Sequence, residues 1–167
     1  GNRQTLGIVT KLIPTGEDTV RLTSKALAAG LICASATVGG LATAKDGVVN
    51  EAVKVRQAAM GTIAASAKVL GDMVKGAAPF DTATAAEAQA AMAATAATVP
   101  DLFRAEEGDP KSEAKPEIWA NWSDFKTKAD GLYQAAQALD PSTLDGVTAG
   151  MGAIGEACAA CHKPYRL

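Results

Sequence analysis

Apolar residues recur at alternating steps of four and three along four stretches of the chain, a spacing that places them on one face of an α-helix. The first stripe consists of Val49, Val53, Arg56, Met60, Ile63, Ala67, Leu70 and Val74. We expect this helix to end near Gly76. Asp81 is a candidate N-cap of the second helix, which we expect to stop at Pro100. Its stripe consists of Ala88, Met92, Thr95 and Val99.

Residues 104–115 are rich in charged residues, Gly, Pro and Ser and predict an exposed loop. Pro116 suits the first turn of a third helix, and Ser142 with Asp145 resembles a capping box that opens a fourth. The third stripe consists of Ile118, Trp122, Phe125, Ala129, Leu132, Ala136 and Leu139. The fourth consists of Leu144, Val147, Met151, Ile154, Cys158, Cys161 and Tyr165. The pattern predicts an all-α, antiparallel four-helix bundle formed by one domain, residues 45–167.

The composition agrees with an all-α fold and limits the kinds of partner that the protein could bind. Of 167 residues, 48% are hydrophobic, 20% are charged and only 4% are aromatic, a mixture that favours helix over strand. The formal net charge is −2, without the basic excess that neutralises phosphates. We therefore expect no nucleic-acid partner.

The first part of the chain reads as an export signal. Arg21 and Lys25 precede an apolar run that ends in Ala42-Thr43-Ala44, the small-x-small pattern of a signal-peptidase site. We predict that residues 20–44 are a signal peptide and that the mature protein begins at Lys45, in the periplasm and without a membrane anchor. Residues 1–19 are predicted to be an upstream extension from a misassigned start.

The dominant chemical motif is Cys158-Ala-Ala-Cys161-His162, close to the end of the fourth stripe. Two thiols at this spacing can both add to the vinyl groups of one porphyrin, while the adjacent imidazole is held at the iron. The motif predicts one covalently attached haem c per chain, with His162 as the iron ligand.

Three other kinds of site could use the residues of this motif. A structural zinc site needs four ligands, but His162 is the only histidine and the mature chain has no third thiol. A thioredoxin-type dithiol opens a helix after a strand, whereas this pair lies near the end of a helix. A disulfide between cysteines three apart on a regular helix requires distortion.

Two residues of the first stripe are candidates for the haem pocket. Arg56 is charged at an otherwise apolar position, so it either pairs with an anion such as a haem propionate or extends to solvent at the bundle edge. Met60, one turn further on, either faces the haem or packs in the core. Phe103 is a candidate pocket wall, while Trp122 and Phe125 are interpreted as packing residues.

Residues 48–167 resemble cytochrome c′, the class II c-type cytochromes. The resemblance rests on Val53-Lys54-Val55-Arg56-Gln57 in the first helix, on Lys115-Pro116-Glu117-Ile118-Trp119 at the third, and on the terminal CxxCHxxYR motif from Cys158 to Arg166. It implies a four-helix bundle with His162 as the only protein ligand of the iron.

The resemblance also assigns the remaining site residues and the function. It implies that Arg56 and Gln57 lie at the propionate edge, that Met60 occupies the distal position, and that Glu113 lies near the haem. It further implies a five-coordinate, high-spin haem that binds nitric oxide and carbon monoxide. It also implies an unidentified redox partner and a homodimer formed by the first two helices. The alternative is a six-coordinate electron carrier with Met60 as sixth ligand. Because the only histidine is already the iron ligand, no distal imidazole remains for acid–base catalysis, and we expect a protein that is not an enzyme.

Overall fold

The computed structural model of the protein describes residues 45–167. This part of the chain contains five α-helices: Glu51–Val74 (α1), Thr82–Leu102 (α2), Glu117–Ala120 (α3), Trp122–Ala138 (α4) and Leu144–Tyr165 (α5). None of these helices is long and apolar enough to cross a membrane. The predictions for residues 1–19 and 20–44 lie outside the described residues.

The four long helices close into a ring. α1 packs against α2, α2 against α4, α4 against α5, and α5 against α1. The connections at residues 75–81 and 139–143 are short, which makes successive helices antiparallel. The predicted all-α, antiparallel four-helix bundle is confirmed.

The core of the bundle combines large and very small side chains. α2 contributes several buried alanines, which leave room for the larger residues of the facing helices. The largest fully buried side chains are Leu70, Met92, Ile118, Ile154, Val53 and Val147. The apolar stripes therefore form one continuous interior.

The helix ends follow local signals in the sequence. Asp81 caps α2 as predicted, because its Oδ1 accepts a hydrogen bond from the Thr84 amide at 2.7 Å. α1 ends just before Gly76, which takes the left-handed conformation at φ 70° that terminates helices. The prediction that Ser142 caps the last helix is wrong: Thr143 does so, accepting from the Gly146 amide at 3.0 Å.

Two predicted helix boundaries also differ. α2 continues past Pro100 to Leu102, because a proline costs a helix one hydrogen bond but the flanking residues stay packed. The predicted third helix is broken at Asn121, whose ψ of 45° lies outside the helical range. The short α3 precedes the break and α4 follows it.

The start of α1, the end of α2, the start of α4 and the end of α5 meet at one end of the bundle. Phe103, just after α2, packs on Phe125 of α4 with ring centroids 5.3 Å apart. Phe125 also meets Tyr165 of α5, edge to face, at 5.5 Å. We call this the cavity end, because the site described below lies here.

Candidate functional site

A cavity of about 400 Å³ opens at the cavity end. Apolar walls come from Val53 of α1, Phe103, Ile118 of α3 and Phe125 of α4. Phe103 thus lies where the sequence suggested, and Phe125, interpreted only as a packing residue, lines the cavity as well. The cavity is open on one side, where charged residues from three segments gather.

The CxxCH motif lies on the last turns of α5. Cys161 and His162 line the cavity, while the half-buried Cys158 packs against the neighbouring core. Neither thiol forms a disulfide in the described part of the chain. Burial raises the pKa of Cys161 to about 11 and also raises that of Cys158, so both sulfurs are neutral thiols at pH 7.

His162 lies beside these thiols at the cavity wall. Partial desolvation lowers its pKa, and the positive charge of Arg166 lowers it further, while Glu113 opposes the shift. The imidazole is therefore neutral near pH 7, the form that carries a lone pair for a metal ion. An apolar cavity with two thiols and one neutral imidazole on the same helix fits haem c.

Arg56 is the most deeply buried charge of the described chain, with 3% of its surface exposed. Its guanidinium lines the cavity and donates to three backbone carbonyls: Nε to Leu102 at 2.9 Å, and the two terminal nitrogens to Ala105 and Glu107 at 2.6 and 3.1 Å. These carbonyls lie at or just after the C-terminus of α2, where the negative end of the helix dipole favours a cation. Burial lowers the pKa of Arg56, while the Glu107 carboxylate raises it.

Aromatic rings complete the surroundings of this guanidinium. Its central carbon lies 4.8 Å from the Phe103 ring centroid and 5.5 Å from that of Trp119. The Trp119 indole donates to the carbonyl of Phe103 at 2.8 Å. Arg56 therefore fixes the segment that follows α2, a role that the stripe pattern did not indicate.

Gln57 and Glu113 lie at the cavity mouth and are both held by hydrogen bonds. Gln57 Oε1 accepts from the Lys45 backbone nitrogen at 2.8 Å, and its Nε2 donates to the Lys111 carbonyl at 3.1 Å. Glu113 pairs with the ammonium of Lys45, and its Oε2 accepts from Arg166 Nε at 2.6 Å. Both hydrogen bonds lower the pKa of Glu113 below its usual range, and the one from Lys45 has the larger effect.

The loop at residues 104–115, predicted to be exposed, is tied to two helices. Asp109 Oδ2 accepts from the amides of Val49 and Asn50 at 2.9 and 3.0 Å, at the start of α1. The Lys115 amide donates to the Tyr165 carbonyl at 3.0 Å, next to a single antiparallel bridge between Ala114 and Arg166. This anchoring brings Glu113 to the cavity.

Met60 lies on α1, one turn after Arg56, and its half-buried side chain lines the cavity. Gly61 and Ala64 continue the same wall. The structure thus brings Arg56, Gln57, Met60 and Glu113 to one cavity together with Cys161 and His162.

The sequence reasoning missed three residues of this region. The Asp109 carboxylate accepts from backbone amides, and Lys45 uses its backbone nitrogen as well as its ammonium group; such contacts leave no periodic signal. Tyr165 was assigned only to the apolar stripe, yet its hydroxyl donates to Asp124 Oδ2 at 2.5 Å, and this bond raises the pKa of Tyr165 to about 12. The tyrosine within CxxCHxxYR was the available signal.

The fold and the cavity define a four-helix protein built to hold one covalently attached haem. A family model described as cytochrome C′ matches residues 51–166. The chain belongs to the cytochrome c′ family, and its cofactor is covalently attached haem c.

Individual relatives agree. Cytochrome c-556 of Agrobacterium tumefaciens strain II Chrys is 36% identical over 118 residues, covering 69% of this chain and 96% of its own. Cytochrome c′ of Alcaligenes xylosoxydans xylosoxydans is 33% identical over 120 residues, covering 70% and 93%.

Solved structures give the same result. A nitric oxide complex of a cytochrome c′ mutant from Alcaligenes xylosoxidans superposes with a TM-score of 0.61 at 32% identity, covering 69% of this chain and 93% of its own. A carbon monoxide-bound variant of that protein gives the same TM-score, identity and coverage.

Proposed function

We propose that the protein is a periplasmic cytochrome c′ whose five-coordinate, high-spin haem captures nitric oxide and carbon monoxide. In this proposal Cys158 and Cys161 form the two thioether bonds and His162 is the single iron ligand from the protein. Relatives solved with nitric oxide and with carbon monoxide support this choice of ligands. When bound, the haem supplies an iron centre for a diatomic gas and for one-electron transfer.

The observation that carries the proposal is the wall that α1 contributes to the cavity. Met60, Gly61 and Ala64 present one thioether and otherwise only aliphatic or backbone atoms. Such a wall would exclude water and limit the space beside a bound haem, so it would admit a small uncharged molecule and disfavour a charged or bulky one. Two polar residues of α1 line the same cavity, but Arg56 is engaged by three carbonyls and Gln57 is hydrogen-bonded to Lys45 and Lys111.

His162 has a second consequence for function. It is the only histidine of the sequence, so a general acid–base imidazole on the gas-binding side is lacking. We therefore propose a binding protein that also exchanges electrons with a redox partner, and not a catalyst.

Met60 supports one alternative. Its thioether lines the cavity and would make the iron six-coordinate if it bound there, which would give an electron carrier without a free gas site. Absorption spectra of the holoprotein, ferric and ferrous, before and after addition of carbon monoxide, decide between the two. A broad ferrous Soret band that sharpens with carbon monoxide would support a five-coordinate iron with a vacant gas site. Split low-spin bands that do not change with the gas would mean that Met60 binds the iron as sixth ligand.

A Met60→Leu variant sharpens this test, with Met151→Leu as its matched control on α5. If the site is vacant, both variants keep the wild-type coordination state. If Met60 binds the iron, only Met60→Leu converts the spectrum from low spin to high spin. A pyridine haemochrome spectrum of the same samples reports the two thioether bonds.

We also propose a homodimer formed through α1 and α2. Small exposed side chains, which permit close approach of a second copy, lie on both helices at Ala65, Ala90 and Ala94. Light scattering of the holoprotein at micromolar concentration should give twice the mass of one chain, and Ala90→Arg should reduce it to one chain.

A further inference from the structure

The segment just before α1 is held firmly to the cavity mouth. The backbone nitrogen of Lys45 donates to Gln57 Oε1 at 2.8 Å, and the Lys45 ammonium pairs with Glu113. Val48 is buried, with 7% of its surface exposed, and Gly47 makes the turn between them at φ 85°. Lys45 is therefore anchored at its backbone, at its side chain and through the residues that follow it.

Gln57 can present only its oxygen to the Lys45 nitrogen. The amide nitrogen of its side chain donates to the carbonyl of Lys111 at 3.1 Å, which fixes the orientation of the amide group. Gln57 Oε1 is thus a fixed acceptor, 2.8 Å from a backbone nitrogen that lies twelve residues away in the chain. We call this acceptor position the seat.

The mouth has more positive than negative groups. Glu113 is a single carboxylate that faces two cations, the ammonium of Lys45 and the guanidinium of Arg166. His162, neutral, lines the same cavity. This excess favours an anionic group at the mouth.

We propose that hydrolysis of the Ala44–Lys45 bond makes Lys45 the first residue of the mature protein, and that its new α-ammonium group is a component of the haem site, seated on Gln57. The inference rests on the export step of the proposed function. Water adds across the peptide bond under catalysis by a signal peptidase: the Ala44 carbonyl becomes a carboxylate, and the Lys45 nitrogen leaves as an ammonium group.

The cleavage changes what the seat holds. A peptide nitrogen has one hydrogen, and Gln57 accepts it, whereas an ammonium group has three, so two donors and a full positive charge become available. An α-amino group has an ordinary pKa of about 7.7–8.0 and is mostly charged at pH 7. The carboxylates of haem are anions that such a group would pair with, next to Lys45 Nζ and Arg166.

The first test is the N-terminus of the holoprotein isolated from the periplasm. Intact mass and N-terminal sequencing should show a chain that begins with Lys45-Asp46-Gly47. A mature chain that begins at any other residue, in particular upstream of Val20, overturns the proposal.

The second test measures the seat by competitive acetylation of the α-amine in the folded holoprotein. Because the charged α-ammonium group donates a hydrogen bond to Gln57, we expect acetylation to be roughly tenfold slower than in a peptide with the same first residues. Gln57→Leu should restore the peptide rate, and Gln137→Leu, on the exposed face of α4, should not. A wild-type rate equal to that of the peptide overturns the proposal.

Both tests detect the amine itself and do not depend on gas binding. A protected α-amine in a protein that fails to bind carbon monoxide would contradict the proposed function and support this inference. A free α-amine in a protein that binds the gas would do the reverse.

Discussion

At the far end of the bundle, where α1 leads into α2 and α4 into α5, helices are joined by close apolar contact, whereas at the cavity end hydrogen bonds are added to the aromatic contacts. Leu70 is fully buried there, and Gly150 lies so close to Leu139 that an added Cβ would come within 2.8 Å of that side chain. At the cavity end, Arg56 holds the loop by its carbonyls, and Asp109 of the loop accepts from amides at the start of α1. The difference shows how a small bundle keeps space for a cofactor: side chains fill one end, and polar contacts brace the other around a cavity.

The largest expected effect tests this contrast on one helix. Leu70→Ala leaves a hole in the packed end and should lower the free energy of unfolding by about 3 kcal/mol. Met60→Ala removes a side chain that is only half-buried, so less apolar surface is lost from the interior, and it should cost less than about 1 kcal/mol. Urea denaturation of the two holoproteins, followed by circular dichroism, measures both values. Equal losses would mean that the two ends are packed alike.

The next effect concerns the brace at the cavity end. Arg56→Gln removes the buried charge that holds the part-buried carbonyls of Leu102, Ala105 and Glu107, so we expect a loss of about 3 kcal/mol in the free energy of unfolding. Arg104→Gln is the matched control, because Arg104 is exposed and pairs only with Asp101 within the described chain. Its effect should stay within about 0.5 kcal/mol.

The Arg56→Gln variant also tests the prediction that Arg56 lies at the propionate edge. A small loss of stability combined with a shifted reduction potential would indicate that the guanidinium serves the haem carboxylates and not the loop. A large loss at an unchanged potential would indicate the opposite.

A smaller effect is expected at the packed end from a single methyl group. Gly146→Ala would place its Cβ 2.6 Å from the carbonyl oxygen of Asp140, so the start of α5 must shift, at a cost of about 2 kcal/mol. Gly152→Ala on the same helix meets nothing within 4 Å and should stabilise the protein by up to about 1 kcal/mol. Melting temperatures that move in the same direction for both variants would contradict this.

Much of the fold could be predicted because its signals are local. The spacing of apolar residues locates the helices, and Asp81 marks the start of α2. The passage of α2 through Pro100 was not predicted, since the packing of its flanking residues decides it. The break at Asn121 was not predicted because the apolar spacing continues across it, from Ile118 to Trp122.

The site was predictable where side-chain chemistry carries it. The CxxCH motif points to haem from residue types and spacing alone, and Arg56 attracts notice as a charge on an apolar stripe. Its carbonyl partners could not be predicted, because backbone groups are the same at every residue. Lys45 was predicted only as a cleavage point, since nothing in the local sequence shows that it reaches Gln57.

The smallest effect is a change with pH at the cavity end. Amides of Asn50, Lys111 and Val49 donate to Asp109 and hold its pKa below the ordinary 3.8. A carboxyl whose pKa is lower in the folded protein stabilises the fold above its unfolded pKa, and this contribution is lost as the pH falls through the folded pKa. Asp109→Asn should therefore be less stable than wild type at pH 7, and the difference should shrink as the pH is lowered below about 4. Asp130→Asn, exposed on α4, is the control. Urea midpoints between pH 3 and pH 7 decide the matter, and a difference that stays constant over this range would mean that the Asp109 charge does not hold the loop to α1.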